Sequence, residues 1–357
     1  MHLKSKFAGL TLSTVALTCF AGAAQAAYDT PGTTVSSSTL NQQGSSTTTN
    51  TISAGSTGSS LGGGSKLFGG RLGRSTQRGS LDEPDSRDLF GAGARGFSAQ
   101  ERDPKFGVWG QYGFSHYKQD QTTIAGSGDT HVFVAGGDYR FNNWFLAGLS
   151  AGYERGDNKT TFNNGKITTN AGLVAPYAVF QLIEGMLFLD ANAGYAAGGM
   201  DTERSNGSIT GNTDFNRFFA SSNLTANLER GNWQFRPGAG LVWARQEIDA
   251  YRESNATAVP RNVDHFGRMR VGSQIGYQFT RWQPYVLADY EYDFKFDYAR
   301  TPAGVTQPVE HRSGALLGGG AIFSFTNSLT GGVQFTTRTF RSDYSEYSAN
   351  GTIRYAF

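Results

Sequence analysis

From Phe106 to the C-terminus the chain alternates with a period of two, and no other feature limits its fold as tightly. In DYEYDFKFDY, residues 289–298, Asp289, Glu291, Asp293, Lys295 and Asp297 hold one parity, and Tyr290, Tyr292, Phe294, Phe296 and Tyr298 the other. A strand turns successive side chains to opposite faces, so one face is charged and the other aromatic. Twelve strand-like segments follow one another, at about 106–119, 129–141, 144–157, 166–182, 186–199, 213–230, 233–249, 263–280, 282–298, 311–326, 328–342 and 346–357. Most hold 12–18 residues. Strands of soluble sheets peak near about 5–6 residues, whereas a tilted membrane strand needs about 9–11 in the hydrocarbon alone.

The connections point the same way. Asn142-Asn143, Glu184-Gly185, Gly231-Asn232, Arg281 and Asn327 mark tight turns, and polar loops at 158–165, 200–212, 250–262 and 299–310 lie between them. Short turns on one rim and longer loops on the other is the arrangement of bacterial outer-membrane barrels, with the short turns periplasmic. Beyond residue 26 no apolar run is long enough for a spanning helix, so a membrane location requires a closed barrel. The expected fold is all-β: a twelve-stranded antiparallel transmembrane β-barrel preceded by a disordered polar N-terminal tail.

Residues 1–26 read as a secretory signal peptide. Lys4 and Lys6 give a positive start, Phe7 to Phe20 an apolar stretch, and Ala24-Gln25-Ala26 a cleavage site. The single cysteine, Cys19, lies inside it, which leaves a mature chain without disulfides. From Thr33 to Ser65 no residue is charged, and Ser, Thr, Gly, Asn and Gln dominate. Such a composition buries too little apolar surface to offset chain ordering. Residues 27–105 are therefore read as a Ser/Thr/Gly-rich tail or vestigial passenger, with a possible short helix after Ser80, and 106–357 as the barrel. Of 31 Lys and Arg, two fall in the signal peptide, so the mature chain balances 29 basic against 29 acidic residues. That balance argues against nucleic-acid binding.

Period-two parity assigns faces. Tyr290, Tyr292, Phe294, Phe296 and Tyr298 are expected to face lipid and the outer headgroups. Arg217, Arg236, Arg268, Arg270, Asp289, Glu291, Asp293, Arg338 and Arg354 are expected to line the lumen, with Asp190, Asn223, Glu229, Gln234, Gln274 and Gln278. A charge on the lipid face would cost roughly 2–4 kcal/mol at the midplane, whereas inside Arg and carboxylate can pair. Such a lining reads either as a salt-bridged wall that stiffens the barrel or as a conduit or helix seat. Trp109, Trp144, Trp233 and Trp282 all fall at strand starts beside the short-turn rim, and Trp243 does not. Indoles favour the membrane–water interface, so these four are expected to form an aromatic girdle.

Signals of catalysis are weak. GSGDTH (126–131) sets Ser, Asp and His side by side, but triad members come from distant positions and need an oxyanion hole. His116 and His131 with Asp129 have the residue types for zinc, and read better as exposed loop-end histidines. GGRLGR (69–74) follows no strand and lacks the phosphate-loop Lys-Ser/Thr. No catalytic residue, metal or cofactor is expected.

Several stretches resemble the C-terminal translocator domain of autotransporters, the type V secretion family: GVWGQYGF (107–114), VAGGDYRFNNWFLAGLSAGYERGD (134–157), QPYVLADYEYDF (283–294) and NGTIRYAF (350–357). The resemblance spans the barrel. It implies insertion into outer-membrane lipid by the β-barrel assembly machinery, with periplasmic chaperones as partners. It also implies a monomeric barrel with an N-terminal segment threaded through it. In related barrels the terminal pattern, here Ile353, Tyr355 and Phe357, looks like the signal read during assembly. The family's passenger is a long β-helix, whereas here only 27 to about 105 precedes the barrel, and no Asn-Asn cleavage pair stands in the linker. The expected function is an outer-membrane barrel that anchors and translocates its own short N-terminal segment. The alternatives are a small porin-like channel, or a surface adhesion protein acting through loops or tail.

Overall fold

A computed structural model describes residues 105–120, 125–296 and 312–357. The signal-peptide, tail and short-helix expectations lie outside these residues, as do Asp297, Tyr298 and the whole loop at 299–310. Twelve long strands form the barrel. They are β1 (Phe106–Gln119), β2 (Gly126–Arg140), β3 (Phe145–Thr160), β4 (Gly165–Ile183), β5 (Leu187–Arg204) and β6 (Ile209–Ala226), then β7 (Trp233–Ile248), β8 (Asn262–Tyr277), β9 (Trp282–Phe296), β10 (Ser313–Ser324), β11 (Leu329–Arg341) and β12 (Tyr344–Ala356). Leu228–Arg230 continues β6 past a break, and a small hairpin, Tyr251–Arg252 with Ala258–Val259, sits in the loop after β7. Thr161–Asn163 forms a single 3-10 turn.

Each strand pairs antiparallel with its chain neighbours, and β12 returns to β1 in register from Gly107↔Ala356 to Gln119↔Tyr344. That last pairing removes both sheet edges, which satisfies every ladder group without water. Phe106 and Phe357 exchange backbone hydrogen bonds of 3.0 and 2.9 Å at the seam, so β1 begins and β12 ends on the rim of the tight turns. Gly185 (φ 66°) and Gly231 (φ 62°) occupy the left-handed region in two of these turns, where a side chain would be strained.

The opposite rim departs from the expected pattern. Much of 158–165 and 200–212 is strand rather than loop, since Lys159 pairs with Lys166 and Glu203 with Thr210. Polar composition suggested loops, but ladder hydrogen bonds need only backbone, so these hairpins extend with polar residues on the outer face. The β11–β12 connection on this rim is short as well, with Asp343 at φ 62°. The long connection among the described residues here is 249–261.

Burial follows parity most regularly along β4, β5 and β6. In β4, Ile167, Thr169, Ala171, Leu173, Ala175, Tyr177, Val179 and Gln181 are buried, and the alternate positions are not. In β9, Glu291 and Asp293 are buried while Tyr290 and Phe294 are exposed. The interior is not uniformly polar. Val132, Val134, Leu146, Ile167, Leu173, Val179, Phe188, Met200, Phe215, Phe219 and Ile248 form an apolar cluster on the inner face of β2–β7. The inner face of β8–β12 is mostly polar. Alternation alone does not distinguish these halves, because the outer face of β4 is apolar at Val174, Pro176 and Phe180 too.

Candidate functional site

The lumen gathers most of the side chains that parity sends inward, in three groups. The first lies toward the loop rim between β8, β9, β11 and β12. Arg268 donates from Nε to Asp293 Oδ1 (2.6 Å) and from Nη2 to Oδ2 (3.1 Å). Arg341 Nη1 donates to the same carboxylate at 2.5 Å. Arg338 donates from Nε to Glu291 Oε2 at 2.6 Å and from Nη2 to Oε1 at 3.2 Å, and pairs with Glu346, which also accepts from the Tyr344 hydroxyl at 2.6 Å. Three guanidinium groups thus meet three carboxylates. Away from water such charges are tolerable only when matched and hydrogen-bonded, and the alternation of β9 supplies the matching carboxylates. Arg268 and Arg217 also stack over Phe266 and Phe215, at 4.9 and 5.7 Å to the ring centroids. Across β4 and β5, Arg217 donates to Glu154 at 2.9 and 3.0 Å and to Gln246 at 2.9 Å.

The second group lies near the turn rim and corrects one expectation. Trp109 is 4% exposed and faces the lumen, so it is not part of an outward girdle. Its Nε1 donates to the Tyr177 hydroxyl at 2.6 Å, and Tyr177 donates to Asp138 Oδ2 at 2.7 Å. Asp138 also accepts two bonds from Arg354, at 2.6 and 2.7 Å. The physical reason is parity together with space. Trp109 shares its face with Gly107, Gln111 and Ser115, and opposite it Gly136 leaves room for the indole, where a methyl group would come within 2.6 Å of the ring. Position at a strand start predicted the rim correctly and the face wrongly. The other three indoles do point outward: Trp144, Trp233 and Trp282 are 55%, 58% and 43% exposed. Each lies against neighbouring rings, Trp144 on Phe145 and Phe180, Trp233 on Tyr277, and Trp282 on Phe279.

The third group surrounds a cavity of about 190 Å3 lined by Asp190, Asn223, Arg236, Arg270, Asp289 and Gln334, among others. Arg270 Nη2 donates to Asn223 Oδ1 at 2.8 Å, and Asn223 donates to Asp190 at 2.8 Å. Two positive and two negative side chains therefore share the space. Gln274 also lines it, whereas Glu229, expected inside, is exposed on Leu228–Arg230 and accepts from Gln234 at 3.2 Å.

Ile353, Tyr355 and Phe357 all point outward, and Phe357 stacks on Phe106 and Tyr355 at 6.0 and 5.8 Å between ring centroids. Ser127, Asp129 and His131 share the outer parity of β2. Asp129 bonds His116 rather than His131, and His131 bonds the Tyr112 hydroxyl, each at 2.7 Å, so Ser127, Asp129 and His131 are not linked as a triad. Among the described residues no group of three or more His, Cys, Asp or Glu converges as a metal site would require. Sequence reading did not single out Asp138, Tyr177 or Glu154. Asp138 and Glu154 carried a signal, a charge on the inward parity of a strand, whereas Tyr177 sits in an apolar run and carried none.

The family profile described as the autotransporter beta-domain matches residues 108–336, most of the chain. The chain belongs to the autotransporter β-domain family. Among solved structures, this autotransporter barrel is similar to the translocator domain of the autotransporter NalP from Neisseria meningitidis, with a TM-score of 0.61 at 13% identity over 76% of this chain and 94% of that one. It is similar to the transport unit of the autotransporter AIDA-I from Escherichia coli, with a TM-score of 0.59 at 16% identity over 76% and 97%. The beta domain of the Bordetella autotransporter BrkA matches with a TM-score of 0.58 at 18% identity over 71% and 100%. At such identities the structures support the fold, and the family profile supports the membership. No curated protein sequence matches the chain significantly. The protein is an outer-membrane autotransporter-type β-barrel, of a translocator family that is not itself enzymatic.

Proposed function

We propose that the barrel anchors its own N-terminal segment at the cell envelope and carries that segment through or into its lumen. The observation that carries the proposal is the join between tail and barrel. β1 starts on the same rim where β12 ends, so a chain displayed outside must pass the full length of a closed barrel. A polar inner wall on β8–β12, beside the cavity at Arg236, Arg270 and Asp289, gives a polar backbone hydrogen-bonding partners on that path. In this reading the tight-turn rim is periplasmic and the loop rim faces outward.

The same proposal covers the outer surface and the partners. Trp144, Trp233 and Trp282 sit at the periplasmic headgroup level and fix the barrel's depth in the lipid. Ile353, Tyr355 and Phe357 form the terminal pattern read by the β-barrel assembly machinery after delivery by periplasmic chaperones. The barrel acts as a monomer and performs no catalysis. The test is protease access to an epitope inserted near Ser45 in intact cells. Removal of the epitope by external protease supports display. Protection in intact cells, with cleavage only after the outer membrane is opened, refutes display and leaves a tail held in the lumen or periplasm.

A further inference from the structure

The connection between β7 and β8, residues 249–261, folds inward over the inner face of the β5–β6 hairpin. Tyr251 and Val259 are buried, and pair across the small hairpin that Glu253 N–H and Thr257 C=O close at 2.9 Å. The Tyr251 ring covers Gly211, where a methyl group would meet it at 2.5 Å, and Thr202 beside it. Both are inward positions of β5 and β6.

At the centre of this contact Glu253 accepts three bonds from Arg204, at 2.7, 3.0 and 3.2 Å, with both side chains almost fully buried. Ser254 and Thr210 exchange two further bonds of 2.8 and 3.0 Å. Ile167 on β4 pairs with Thr202, Met200 lies one inward position deeper on β5, and Phe215 on β6 pairs with Ile248 on β7 deeper still; all four are buried. The side facing away from the barrel is polar or small: Arg252, Ser254, Asn255 and Ala256 are exposed.

We propose that 249–261 is a lid latched over the outer mouth of the lumen, with Arg204–Glu253 as the latch. The lid covers an apolar layer that an open mouth would wet, and a few named contacts hold it. Breaking a buried ion pair strands a charge, so the closed position depends strongly on both partners. The inference rests on the barrel's place in the outer membrane and not on display of the tail. Lifting the lid opens the mouth to whatever crosses the lumen.

The full-length protein, purified as a heat-modifiable barrel, is digested with trypsin, and cleavage after Arg252 is measured relative to cleavage after Arg261. Arg204→Gln leaves the Arg252–Glu253 bond unchanged and is expected to speed its cleavage about tenfold or more, because cleavage reports the open population. The charge-swapped pair R204E with E253R, with cleavage after Arg252 and after the new arginine at 253 taken together, is expected to restore protection. In planar bilayers Arg204→Gln is expected to raise the fraction of time the protein conducts. An unchanged cleavage ratio overturns the latch. Faster cleavage without a change in conduction overturns the role in closing the mouth. If Arg204→Gln fails to form a barrel, Tyr251→Ser keeps the ion pair, removes the cover over Gly211 and is read by the same two measurements.

Discussion

Tyr177 joins three strands through one hydroxyl, and replacing it with Phe isolates that link. The hydroxyl accepts from Trp109 on β1 and donates to Asp138 on β2, which Arg354 holds from β12. Tyr177→Phe leaves the indole N–H buried without a partner, at a cost of about 1–3 kcal/mol, and removes one bond to a charged acceptor, about 1.5–3 kcal/mol. Arg354 still makes two bonds to Asp138, so the carboxylate remains paired. The expected total is about 2.5–6 kcal/mol. In a Trp109→Phe background no indole N–H is left to strand, and the same hydroxyl deletion should cost only about 1.5–3 kcal/mol. A double-mutant cycle on the barrel, unfolded by urea in lipid vesicles, should therefore give a coupling energy of about 1–3 kcal/mol. The cycle cancels the volume lost in Trp→Phe. A coupling under about 0.5 kcal/mol would refute the reasoning, since it would mean that water enters this end of the lumen and takes over the bonds.

Other outcomes follow from the same structure. Deleting Phe357, which is outward-facing and 59% exposed, should sharply lower membrane-inserted protein in cells while refolding into detergent suffers little. Similar small losses in both assays would leave it as packing alone. Arg338→Met removes the bonded guanidinium shared by Glu291 and Glu346 and leaves Glu291 only the more distant Arg268 and Arg341, at 3.8 and 3.9 Å, and should cost about 3–5 kcal/mol in urea unfolding; a change under about 1 kcal/mol would show that the cluster is hydrated. Leu149, exposed on β3 opposite Gly137 and Pro176, should tolerate Arg at a cost of about 2–4 kcal/mol in a bilayer, and a neutral result would place it outside the hydrocarbon.

Twelve strands, their approximate bounds and the opposite faces of Tyr290 and Phe294 against Glu291 and Asp293 were legible, because a period of two is a local property of the backbone. The same rule placed Arg217, Arg236, Arg268, Arg338, Arg354, Glu291 and Asp293 on the buried side. Partners were not legible. Arg268 finds Asp293 across a neighbouring strand, Arg217 finds Glu154 three strands away, and Arg354 meets Asp138 only where the last strand closes on the first. Register and closure decide those meetings, and neither is written in one segment. Trp109 shows the limit most clearly. Its strand, its rim and its parity could be read from the sequence, but the preference of indole for an interface outweighed that parity in the reading. Only the assembled barrel, with Gly136 opposite the ring and the Tyr177 hydroxyl within 2.6 Å of its nitrogen, supplies the space and the acceptor that a buried indole requires.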